Sequence, residues 1–217
     1  MNKIVLKSFV ILFFFLSPII SVAQKDSVFI KRIPHQISVE FGYRNSFYQN
    51  TYLSNAGSYI GDPSTVSLSQ TLNSATNGVG VLVDYAWQLG GFDNKKPAIY
   101  LSIPMGYTIL LPDNSASKRV SMLNYGWTIR HNLTTSDKKI IPFVGYGLFL
   151  NNMSLGIPEW GSVSGHQTQF EGGLNFSTAT KLQYFVKIQG SYSSYPKLGY
   201  AKSLHFMYAD LRFGVRL

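Results

Sequence analysis

The chain has 217 residues, of which 45% are apolar, 15% aromatic and only 13% charged, against roughly 25% charged in ordinary soluble domains. It carries 19 Lys and Arg against 10 Asp and Glu, a formal charge of +9, and no cysteine. The missing cysteines exclude disulfides, a thiol nucleophile, thiolate metal sites and the lipid-modified cysteine of a lipoprotein; the basic residues are scattered among apolar segments, which does not make the basic face that nucleic-acid binding needs.

Lys3 and Lys7, the apolar run Phe9 to Leu16, Pro18 and the small-residue site Ser21-Val22-Ala23 have the layout of a secretory signal peptide over residues 1–23, with cleavage before Gln24. The apolar run is shorter than the ~20 residues of a spanning helix. Loss of the two lysines leaves +7. After residue 23 no apolar stretch approaches the length of a membrane helix, so any crossing must be made by closed β-structure, the other way to satisfy backbone polar groups in hydrocarbon. Residues 24–34, with Lys25, Lys31, Arg32 and a final Pro34, form a polar lead-in expected on the periplasmic side, and 35–217 is expected to be one barrel.

From there the chain alternates with a period of two, the mark of strands. The first is expected over 35–46, with Ile37, Val39, Phe41 and Tyr43 on one parity and Ser38, Glu40, Gly42 and Arg44 on the other. An irregular segment over 47–76 follows, long enough to be functional or mobile. Strand two covers 77–88, with Val79 to Trp87 outward and Asp84 inward, and a Gly-Gly and Asp-Asn turn after it. Strand three covers 98–111; Pro104 inside it predicts a bulge or a shorter strand, because proline cannot donate to a ladder. Strand four covers 120–133, with Arg130 inward. Strand five covers 140–151, where Phe143 and Phe149 share the inward parity with Gly145 and Gly147, as if interlocking inside a narrow barrel. Strands six (167–176, Glu171 inward), seven (181–193, Lys187 inward) and eight follow. The eighth covers 204–217 and sets Met207, Ala209, Leu211, Phe213, Val215 and Leu217 against Asp210, Arg212 and Arg216.

Eight is an even count, which puts both termini on one side, with short turns there and mostly longer loops opposite; the 112–117 connection is the exception. Tyr43, Trp87, Tyr107, Tyr125, Trp127, Tyr192 and Tyr195 fall towards strand ends, where interfacial girdles belong. The pattern thus predicts an all-β, eight-stranded antiparallel up-and-down transmembrane barrel. Val22-Ala23-Gln24, the segment Ile141-Pro142-Phe143-Val144-Gly145-Tyr146-Gly147 and the closing Asp210-Leu211-Arg212-Phe213-Gly214-Val215-Arg216-Leu217 resemble the small outer-membrane β-barrel proteins of Bacteroidota-type bacteria, similar in build to OmpA-transmembrane and OmpW-like barrels. The resemblance implies an outer-membrane location; the family's usual final aromatic is replaced here by Leu217.

An eight-stranded barrel is just wide enough for side chains to fill, which argues against an open pore, with a narrow solute path as the alternative. The inward charges Glu40, Arg44, Asp84, Arg130, Glu171, Lys187, Asp210, Arg212 and Arg216 are expected to pair, because an unpaired buried charge is costly. The first and last strands meet at closure, so pairs are expected among Glu40, Arg44, Asp210 and Arg212. Function then falls into three classes. The first is a non-enzymatic structural or binding barrel whose loops, chiefly 47–76, meet a ligand, lipopolysaccharide or an envelope protein, with Lys118, Arg119, Lys197 and Lys202 as contacts to outer-membrane lipid headgroups. The second is a lipid-modifying enzyme, the resemblance implying lipid A acylation or deacylation, with His205, Ser203 and Glu159 or Glu171 as candidates. The third is an accessory component of an envelope machine held through Lys25, Lys31, Arg32, Lys95, Lys96, Lys138 and Lys139. A soluble lipocalin-like barrel would need apolar residues inside and is set aside on the charged inward parity. Gly78-Val-Gly80 lacks the helix of a phosphate loop, and no cofactor or metal is expected. The first test is the intact mass of the membrane-recovered protein, which should correspond to a chain starting at Gln24; a mass retaining residues 1–23 refutes the cleavage.

Overall fold

The computed structural model describes residues 35–53, 77–92, 96–111, 119–154, 162–178, 182–196 and 201–217, with the backbone alone over 47–53 and 201–203. The signal segment and lead-in therefore lie outside the described residues. Eight strands follow one another: β1 (His35–Leu53), β2 (Asn77–Gly90), β3 (Ile99–Leu111), β4 (Val120–Asn132), β5 (Ile140–Ser154), β6 (Ser162–Ser177), β7 (Gln183–Tyr195) and β8 (Ala201–Arg216). Each pairs antiparallel with the next, and β1 pairs with β8, so the sheet is a closed up-and-down barrel. Closure matters because it leaves no open sheet edge through the body of the barrel.

The alternation sorts side chains as the pattern demands. Outside, Phe41, Phe170 and Phe213 are 62%, 65% and 56% exposed, within a belt of Val, Ile, Leu and Tyr; inside, the polar and charged residues of the same strands are buried. Phe143 and Phe149 are buried, and a Cβ on Gly173 or Gly147 would stand 2.8 Å from the Phe143 or the Phe149 ring, so the glycines make room for the rings.

Several boundaries differ from the expected ones. β1 continues to Leu53, paired with β8 from Ser46↔Tyr208 to Leu53↔Ala201 around a bulge at Ser46/Tyr48, so 47–53 is strand, and only 54–76 of the expected loop remains, outside the described residues. β6 starts at Ser162, five residues early, and the 152–165 loop shrinks to 155–161. No bulge occurs at Pro104. The ladder to β2 runs through Asp84↔Pro104 without a shift, and the ladder to β4 omits 103 and 104 between Ser102↔Thr128 and Met105↔Tyr125, then resumes in the same register. The missing N–H is thus absorbed by a local gap on the β4 side.

A larger departure lies at the barrel end away from the termini. Leu110, Val120, Met122, Met153, Val163, Tyr195, Leu204, Phe206 and Tyr208 form one buried apolar cluster on the inward parity. The outward residues at this end of β5 and β6 are polar: Asn152, Ser154, Ser162, Ser164 and His166 are exposed, whereas Leu111 keeps the outward end of β3 apolar. Polarity is inverted there relative to the middle of the barrel, as in a barrel surrounded by water. Tyr195, expected in an outer girdle, belongs to this cluster.

Gly126, inward on β4, is a close approach: a Cβ there would lie 2.1 Å from the Leu148 carbonyl oxygen of β5. Gly126→Ala should destabilise the barrel by about 1–3 kcal/mol, the scale of overpacking, read as a lower urea midpoint at unchanged slope; an unchanged midpoint contradicts this packing.

Candidate functional site

The lumen is layered. At mid-height Arg44 and Asp210 face each other across the β1–β8 seam, and Arg44 donates through Nε and Nη2 to the two Asp210 oxygens at 2.7 and 2.8 Å. Such a bidentate fork is the strongest ion-pair geometry available to arginine. Asp210 also accepts from Gln189 at 3.0 Å and from Arg212 at 3.2 Å. A second triad places Lys187 Nζ 2.9 Å from Glu40 and 2.8 Å from Glu171. From Glu171 a chain of amides climbs the wall: Gln169 donates to Glu171, Gln167 to Gln169, and Asn151 and Ser193 both donate to Gln167.

Towards the termini the cations are held without carboxylates. Arg130 donates to Gln36 at 2.7 Å and lies over Tyr100 and Phe143; Arg216 donates to Asn175 at 2.8 Å and lies 4.5 Å over Phe185. Cation–π contacts suit a guanidinium removed from water. At the other end the apolar cluster caps the network. Met122 marks the junction, with its sulfur 3.9 Å from Arg44 Nη1 and 3.7 Å from the Tyr208 hydroxyl.

All nine inward charges lie buried in the lumen. Of the four residues expected to pair across the seam, Arg44, Asp210 and Arg212 come together and Glu40 does not join them. Its wall neighbours in register are Leu82 and Gly214, so its carboxylate extends to Lys187 instead. Asp84, Arg130 and Arg216 make no ion pair with one another. Lys118 and Lys197 lie outside the described residues, Lys202 is described in its backbone only, and Arg119 is exposed at the far end. Lys25, Lys31, Arg32 and Lys95 are also outside them; Lys96, Lys138 and Lys139 stand at the terminal end.

The wall divides the candidate catalytic residues. His205 points outward, while Glu171 is in the lumen with Lys187, so Glu171 is not a third member for His205; Glu159 and the Ser203 side chain lie outside the described residues. His205 instead stacks on Tyr192, whose hydroxyl lies 2.6 Å from its Nδ1. A matching pair, Tyr85 and His35 at 3.0 Å, stands at the opposite edge of the outer belt. Register also sets Ser194 between His166 and His205, a row that no sequence spacing shows because it spans three strands. Among the described residues no carboxylate shares that outward row, and no group of three or more His, Asp or Glu is placed to hold a metal.

No protein-family model and no curated protein matches the chain in sequence. Solved structures match in shape. Neisserial surface protein A is 12% identical, with a TM-score of 0.56 over 85% of this chain and 97% of its own. The N-terminal β-barrel domain of Pseudomonas aeruginosa OprF (12% identity, TM-score 0.44, 84% and 97%) and the outer membrane enzyme PagL (12%, 0.46, 82% and 97%) align more loosely. The likeness is one of fold: a small eight-stranded barrel of the kind found among bacterial outer-membrane proteins.

The network makes a graded prediction. Lys187→Met leaves Glu40 and Glu171 buried without their shared cation and should cost about 3–5 kcal/mol; Glu171→Gln leaves Lys187 its Glu40 partner and should cost less. Urea unfolding in lipid vesicles orders the two, and the reverse order refutes the triad.

Proposed function

We propose that the chain is a non-enzymatic barrel of the bacterial outer membrane that acts through its exposed end, with a lumen filled by side chains. The observation that carries this is the outer belt: large apolar side chains ring the barrel between Tyr–His pairs at its two edges, around a buried charged interior. In water such a surface would aggregate; against hydrocarbon it is the matched face of a membrane barrel. The end away from the termini, where the outside turns polar, stands in water outside the cell. Through it the protein meets a ligand, lipopolysaccharide or an envelope partner, and Lys118, Arg119, Lys197 and Lys202 are placed by sequence to meet acidic lipid headgroups.

The filled lumen supports binding over transport. An apolar cluster on one side and stacked guanidinium groups on the other enclose the ion-paired middle, and a hydrated solute crossing it would have to break those pairs. Purified protein in planar bilayers should show conductance no higher than protein-free membrane; conductance well above that background overturns the filled lumen.

A further inference from the structure

The two ends of the barrel leave the apolar belt differently. At the far end the outward parity of β5 and β6 turns polar, whereas at the terminal end apolar residues continue past the Tyr85–His35 pair. Leu89 lies two residues beyond the Trp87↔His35 row and Leu133 two beyond the Ile99↔His131 row, and both are exposed. Phe92, after β2, is the most exposed large apolar side chain among the described residues, at 69%. The chain leading to it is pinned from the lumen: Gln88 Nε2 donates to the carbonyl oxygens of Gly90 and Gly91, both at 2.9 Å. Gly91 has a φ of 69°, and a Cβ there would stand 2.0 Å from the Pro97 carbonyl oxygen. Only glycine takes that backbone at no steric cost, so the presentation of Phe92 is built into the turn.

Lysines stand just beyond these apolar residues. The β2–β3 and β4–β5 connections meet where the Asn132 N–H donates to the Ala98 carbonyl at 2.9 Å. Lys96 and Lys139, both exposed, therefore share one sector of the rim. Among the described residues of the two connections, Lys96, Lys138 and Lys139 stand against a single acid, Asp137, which accepts a hydrogen bond from the Thr135 hydroxyl. The sector is thus apolar at the edge of the belt and net positive one step further out. A layer of acidic headgroups complements that order, because apolar side chains stay against acyl chains while lysine ammonium groups reach outward to phosphate.

We propose that this sector of the terminal rim is a docking surface for an anionic phospholipid: Leu89, Phe92 and Leu133 lie against the headgroup end of its acyl chains, and Lys96 and Lys139 meet its phosphate. The assignment rests on the membrane location proposed above. Full-length protein is folded into phosphatidylcholine vesicles holding a trace of photoactivatable phosphatidylglycerol or of the matching phosphatidylcholine, each with its reactive group near the headgroup end of one acyl chain. Cross-linked peptides are mapped by mass spectrometry. At low salt phosphatidylglycerol should label residues 89–98 and 131–141 about fivefold more than phosphatidylcholine does, the scale of one lysine near an anionic surface. The excess should vanish in about 1 M salt, where the Debye length is about 3 Å. It should vanish equally in the Lys96→Gln, Lys139→Gln double variant, with the urea midpoint unchanged. Phe92→Ser should lower labelling by both lipids there and leave their ratio intact, separating the apolar contact from the charged one. Equal labelling by the two lipids, an excess spread evenly over both ends of the barrel, or an excess that survives either high salt or the double substitution overturns the site. Absence of labelling by either lipid anywhere on the belt overturns the membrane location as well.

Discussion

Closure of the sheet is the constraint on which everything else depends. It sets the first strand beside the last, and the Arg44–Asp210 fork stands on that seam, joining residues 166 positions apart. A slip of one residue at the seam would turn every side chain of one strand to the other face, placing Arg44 and Glu40 in the apolar surroundings and Phe41 and Tyr43 in the lumen. A buried ion pair is weak evidence for net stability, since the desolvation of two charges offsets much of their attraction. Its physical effect here is selective: wrong registers leave several charges unpaired at once, so the correct one is separated from them by a wide gap.

The same logic explains how like charges share a narrow lumen. Lys187 and Arg212 are direct neighbours on the wall between β7 and β8, an arrangement that would repel in isolation. Each is turned to a different acid, Lys187 to Glu40 and Glu171, Arg212 to Asp210. Gly42 beside Arg212 and Gly214 beside Glu40 provide the space; a Cβ on Gly42 would stand 2.8 Å from the Arg212 side chain. Small and long residues therefore alternate across the seam, and the glycines are part of the electrostatic design.

Alternation made the strand count, their order and the inward set legible in sequence, because a period of two with one apolar parity has a single meaning when no disulfide or helix competes. It failed where the surroundings change along one strand. In β8 the apolar parity is odd from Met207 to Leu217, yet Leu204, Phe206 and Tyr208 are the buried residues at its start. Ser162, Val163 and Ser164 similarly look like a loop if outward residues must be apolar, which is why β6 is assigned too short from sequence. The inversion itself was the available signal, an alternation that persists while its sign changes. The ion-pair partners were less accessible, since Glu40 crosses the lumen to Lys187, and parity says which way a side chain points and nothing about how far it reaches.

That inversion is also what the proposed membrane location requires of an end that stands in water. A membrane barrel needs apolar residues outside only as far as hydrocarbon extends, and needs none inside. The burial of Leu110, Met122, Phe206 and Tyr208 gives that end of the barrel an apolar core of its own on the inward parity, where the outward parity of β5 and β6 turns polar.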